Sequence, residues 1–129
     1  MNSSPSEALP KKERIAKRRE FVLAYEEGAR QFGRYSVVFT RANTAGHPRL
    51  GVTATKKLGK AHVRNRVRRW TREVYRRNRG PLGLEGAAFD FVVNLKASAA
   101  EAGFDEFSAD LIRTIRRALE SIRRRERES

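Results

Sequence analysis

Two rhythms of apolar residues run along this chain. A period of two appears in Tyr35–Arg41, where Tyr35, Val37 and Phe39 fall on one side and Ser36, Val38 and Thr40 on the other. It recurs in Leu50–Thr55 and in Ala88–Asn94, so three strands are predicted. The turn residues NTAGHP at 43–48 separate the first two, which are expected to pair antiparallel. A helical period links Val63, Val67, Trp70 and Val74, predicting a helix from about Ala61 to Arg77 that GPLG at 80–83 ends. Phe104, Phe107, Leu111, Ile115, Ala118 and Ile122 predict a last helix beginning at Gly103 or Asp105. A short helix near Arg18–Glu27 carries Phe21, Val22 and Tyr25, with Gly28 as its C-terminal stop. The order is α-β-β-α-β-α, an α+β class, and the β-α-β passage makes the second and third strands candidates for parallel pairing.

Length adds a limit: 129 residues suffice for one domain. Residues 1–10 read as a flexible lead-in, 11–123 as the single domain and 124–129 as a charged tail. No apolar run is long enough to span a membrane, cysteine is absent, and the N-terminus lacks the apolar core of a secretory signal. These features point to a soluble, cytoplasmic protein.

Charge changes the picture most. The net charge is +14, and Lys56–Arg79 alone holds eleven Lys or Arg against Glu73. Residues 80–110 reverse the sign, with Lys96 against six acids, and residues 111–129 are basic again. Segregation of this kind implies a defined polyanion-binding face rather than a uniform coat. Arginine dominates, and its planar fork takes phosphate oxygens in pairs and stacks on bases, which favours structured RNA. Within the basic helix only Arg69 and Glu73 offer an ion pair one turn apart. Asn65 is a poor helix former there, which suggests a hydrogen-bonding task for its amide.

Catalytic chemistry is hard to find. His47 and His62 have no Ser, Cys or carboxylate at a spacing that suggests a triad. The acids are scattered, and Asp90 alone is placed on a strand, where it reads as an edge-facing polar residue. No glycine pattern matches a phosphate-binding loop. The aromatic residues are more suggestive. Phe21 and Tyr25 share a helix face, and Tyr35, Val37 and Phe39 share a strand face. With Lys11, Lys12, Arg14, Lys17, Arg18 and Arg19 around them, they can form either core or a platform on which single-stranded bases stack.

LGVTATKKLGKAHVRNRVRRWTRE at 50–73 resembles the signature of the protein subunit of bacterial ribonuclease P. The likeness rests on Lys56-Lys57, Gly59, Arg64-Asn65-Arg66, Arg68-Arg69 and Arg72-Glu73. KKERIAKRREFVLAYEEGAR, GRYSVVF and FDFVVNLK extend it to about residues 10–123, while Trp70 departs from the usual aliphatic residue. The resemblance implies a single-domain α-β sandwich of the ribosomal protein S5 domain 2-like kind, with a left-handed β-α-β crossover. It implies a protein that binds the catalytic RNA, one to one, and holds the single-stranded 5′ leader of precursor tRNA. The RNA subunit would carry catalysis with Mg(2+), and no catalytic or metal-binding residue is assigned to the protein. By position, Lys56, Lys57, Arg64, Asn65, Arg66, Arg68, Arg69 and Arg72 would face RNA. Phe21, Tyr25, Val37, Phe39, Thr53 and Thr55 would line the leader cleft. The rival readings are another structural RNA-binding protein, a nuclease acting alone, and a helix-turn-helix DNA binder. The last lacks a helix a short turn ahead of the basic one.

Overall fold

The computed structural model describes residues 9–128. Three helices, α1 (Arg18–Glu27), α2 (Ala61–Arg77) and α3 (Phe104–Glu128), pack on a sheet of β1 (Ala29–Phe32), β2 (Ser36–Ala42), β3 (Arg49–Thr53) and β4 (Phe89–Leu95). Short 3₁₀ turns at Lys11–Glu13, Lys56–Leu58 and Ala97–Glu101 complete it. The strand order is β1-β2-β4-β3. The lead-in expected at 1–10 lies outside the described residues as far as residue 8; Leu9 is buried in the core. The last residues, read from sequence as a tail, continue α3 to Glu128.

One expected pairing needs correction. β2 and β3 are not partners, because β4 lies between them, antiparallel to β2 and parallel to β3. The reason is hydrophobic: Phe91, Val92 and Val93 are all fully buried, so β4 has two dry faces and takes a central place. The turn after β2 crosses the start of β4, where the Asn43 amide N–H donates to the Ala88 carbonyl at 2.9 Å. The parallel β3–β4 pair agrees with the β-α-β reading. β1 is a strand that alternation does not announce: ARQF has one large apolar residue, and it pairs antiparallel with β2 at the sheet edge.

Asp110 of α3 anchors the β1–β2 turn. Its Oδ2 accepts the backbone N–H groups of Arg34 and Tyr35 at 3.0 and 3.2 Å. Tyr35 therefore precedes the strand and joins the core beside Phe107, not the face of Val37 and Phe39. Gly28 does end α1, but in an extended conformation (φ −76°) rather than a left-handed one. A side chain there would run into the Ala24 carbonyl oxygen at 2.4 Å.

One face of the sheet is sealed by α2 and α3 around Val38, Leu50, Phe91, Val93, Phe107, Leu111 and Ile115. On α2 the predicted seam is partly right. Val67 and Val74 are buried and Val63 and Trp70 half-buried, but Thr71 and Tyr75 are buried too. Thr71 satisfies its hydroxyl by donating to the Val67 carbonyl at 2.8 Å. The other face carries the smaller cluster of Ile15, Ala24, Phe39 and Val92 under α1. Among the described residues no helix is long and apolar enough to cross a membrane.

Candidate nucleic-acid interface

Strand alternation puts Val37 and Phe39 of β2, Val92 and Asn94 of β4, and Gly51 and Thr53 of β3 on the α1 side. They fall into rows. Phe39, Val92 and Gly51 form one row, and α1 covers it. A Cβ at Gly51 would stand 2.8 Å from Phe21, so glycine there lets the ring lie on the backbone. Tyr25 packs edge-on to Phe39 with centroids 4.9 Å apart, and its hydroxyl shares a 2.7 Å hydrogen bond with Thr53. The next row, Val37, Asn94 and Thr53, is left half-exposed.

An open cleft of about 480 Å³ continues from this row, lined by Val37, Thr55, Lys56, Lys57, Asn94, Leu95, Lys96 and Ala97. Phe21, Tyr25, Val37, Phe39, Thr53 and Thr55 therefore do stand around one surface, with Phe39 mostly beneath it at 8 % exposure. Lys56 and Lys57, expected with the α2 arginines, sit on the cleft. Asn94 and Lys96 are additions. Their signal was in FDFVVNLK, where Asp90 and Asn94 interrupt an apolar strand at even spacing.

The arginines of α2 divide by side. Arg64 donates to the Gly59 carbonyl at 3.3 Å, and Arg68 donates to Asn65 Oδ1 at 3.1 Å and to the Ala54 carbonyl at 3.4 Å. The Asn65 amide thus has the task its poor propensity suggested. Partial burial first, and then the nearby Arg14 and Arg68 guanidiniums, lower Arg72 from its ordinary pKa. Arg14, on the segment that bridges to Leu50, thus joins Arg68 and Arg72 in a cluster of like charge. Arg66 points elsewhere, donating to the Ala100 carbonyl at 2.9 Å while lying 5.3 Å from the Trp70 ring. It serves the fold. Glu73 pairs with Arg76 and Arg77, not with Arg69, and among the described residues Arg69 has no ion-pair partner.

Asp90 is not an edge group. It is 2 % exposed in the central strand and accepts two 2.8 Å bonds from Arg49 and one from Asn43. Arg49 also reaches Glu20 of α1 at 2.8 Å, and these acids hold its guanidinium charge above the ordinary range. Both carboxylates are thereby occupied in joining α1 to the sheet. Among the described residues no group of three His, Cys, Asp or Glu could hold a metal ion.

The family model for ribonuclease P matches residues 9–119. The chain is 36% identical over 120 residues to the ribonuclease P protein component of a Thermotoga species, covering 93% of this chain and 97% of that one. It is 40% identical over 113 residues to that of Desulfovibrio desulfuricans, covering 84% and 85%. The solved ribonuclease P protein of Staphylococcus aureus superposes with a TM-score of 0.75 at 29% identity, covering 82% of this chain and 94% of that one. That of Thermotoga maritima gives 0.72 at 34%, covering 81% and 96%.

Proposed function

This chain belongs to the ribonuclease P protein family and is a protein component of that tRNA-processing endoribonuclease, and from that premise we propose how its two basic surfaces divide the work. The Arg14, Arg64, Arg68 and Arg72 side of α2, with Asn65 and Arg69, binds the phosphates of the catalytic RNA in a one-to-one cytoplasmic complex. The cleft beside α1 holds the single-stranded 5′ leader of precursor tRNA. Phe21 and Tyr25 offer rings to its bases, Thr53, Thr55 and Asn94 offer polar groups, and Lys56, Lys57 and Lys96 meet its phosphates.

The observation that carries this reading is the uncovered row of Val37, Asn94 and Thr53. A globular protein has little reason to leave the middle of a sheet half-exposed between aromatic and cationic walls. Asp90 and Glu20 are committed to Arg49, and neither carboxylate is free for hydrolysis. The RNA, with its Mg(2+), supplies the chemistry.

Reconstitution tests it. Precursor tRNA is incubated with purified protein, with the catalytic RNA, and with both, at low Mg(2+). Leader removal is expected to need the RNA and to speed up with the protein. Robust cleavage by the protein alone would overturn the proposal.

A further inference from the structure

Phe32 is the most exposed large apolar side chain of the described residues, at 61 %. It ends β1, the edge strand that sequence alternation does not reveal. Its register partner is Val37 on β2, whose partner on β4 is Asn94, whose partner on β3 is Thr53. Directly paired residues project from the same face of a sheet. Phe32 therefore extends the uncovered row to four strands, three inter-strand steps or roughly 14 Å across.

Two cations flank the ring. Arg30, two residues earlier on the same face, has its guanidinium carbon 6.0 Å from the ring centroid. Lys96 Nζ stands 6.0 Å away on the other element and donates to the Gly33 carbonyl at 2.7 Å, which fixes it above the turn. The same Lys96 lines the cleft with Lys56 and Lys57. Arg30 and Lys96 sit at the edge of cation–π range and leave most of the ring open. An exposed aromatic ring with two positive charges 6.0 Å from its centroid fits a nucleobase on the ring and its phosphates on the cations. A purely apolar partner would leave those two charges unanswered.

We propose that Phe32, with Arg30 and Lys96, is a further base-stacking site that carries single-stranded RNA across β1. It rests on the leader-cleft reading and lengthens it. Phe21 and Tyr25 hold nucleotides at the α1 end of the row, and Phe32 holds one at the opposite end. The contact adds affinity for substrates whose leader is long enough to reach the sheet edge.

The test uses holoenzyme reconstituted with Phe32→Ala, Phe32→Tyr or Phe21→Ala, and precursor tRNAs with leaders trimmed nucleotide by nucleotide. Phe32→Ala is expected to weaken binding of long-leader substrate about fivefold, the low end for one stacked base. It should leave mature tRNA and the shortest leaders unchanged, and Phe32→Tyr should restore the affinity. A 2-aminopurine placed along the leader should lose its stacking quench at one position in Phe32→Ala and at a different one in Phe21→Ala. If Phe21→Ala discriminates against leaders but Phe32→Ala does not, the Phe32 site is wrong and the cleft stands. If neither discriminates, the cleft reading falls and takes the site with it. A homodimer by sedimentation that Phe32→Ala dissociates, with leader binding intact, would make Phe32 a self-association contact and overturn the proposal.

Discussion

Against α2 and α3 the sheet presents Val38, Leu50, Phe91, Val93 and Leu95, none more than 6 % exposed. Against α1 it presents Phe39 and Val92, and beside them Val37, Asn94 and Thr53, which stay half-exposed. The difference is one of coverage. Two helices of 17 and 25 residues lie on the first face, and one of 10 residues lies on the second. A ten-residue helix is about 15 Å long and roofs only part of a four-stranded sheet. The molecule thus seals one side of the sheet and leaves the other partly open. Substitutions on the two sides should separate into losses of folding and losses of binding.

The largest effect that tests this separation is on the sealed face. Phe91 is fully buried and touches the rings of Tyr75 and Phe89. Phe91→Ala is expected to lower the unfolding free energy by about 3–5 kcal/mol, read from urea titrations. A loss under about 1 kcal/mol would mean that this face is not the seat of stability.

On the open face the signs exchange. Phe21→Ala should weaken leader-bearing substrate by about 1–3 kcal/mol and leave mature tRNA binding as it was. Equal losses for both substrates would place Phe21 in the core and dissolve the comparison. Gly51→Ala is a milder version, since its Cβ would press on Phe21 at 2.8 Å and shift the ring. It should move leader affinity in the same direction by less.

Sequence reading served the two faces unequally. The basic helix is legible to the residue, Ala61–Arg77, because its seam repeats at 3.6 and its charge has no other explanation. α1 is equally legible. What failed was long-range pairing. Nothing local says that β4 enters between β2 and β3; the clue is Phe91-Val92-Val93, apolar on both sides and so central. β1 was missed because a short edge strand needs no alternation, and Phe32 was missed with it. Asp110 could have been found, as an acid set between Phe107, Leu111 and Thr114 on the buried stripe of α3. Alternation also cannot tell Arg66 from Arg68, since both flank the seam; only the neighbours at Ala100 and Ala54 do.

That last distinction gives a smaller test. Replacing Arg64 and Arg68 with Gln should weaken catalytic-RNA binding and flatten its dependence on log salt by roughly 0.7–0.9 per lost phosphate contact. Arg66→Gln should instead cost about 1 kcal/mol of stability through Ala100 and Trp70. A salt slope that drops for Arg66→Gln but not for the double variant would reverse the assignment.

The smallest effect concerns a flaw in the sealed face. The Tyr75 hydroxyl is buried without a hydrogen-bond partner among the described residues. Burial, then the charge of Glu13, raise its pKa, and Arg79 opposes them. A raised folded value means that the unfolded chain gives up this proton first, near pH 10. Stability from Tyr75 is therefore constant below that pH and falls above it. Tyr75→Phe removes an unpaired hydroxyl and keeps the ring on Phe91, so it should change stability at pH 7 by less than about 1 kcal/mol. Above pH 10 the variant should lose stability less steeply than the parent in urea titrations. Parallel losses would show that the hydroxyl has water or another partner in the folded state. Leader affinity should not respond at either pH 7 or pH 8, because this ring lies on the opposite side of the sheet from the cleft.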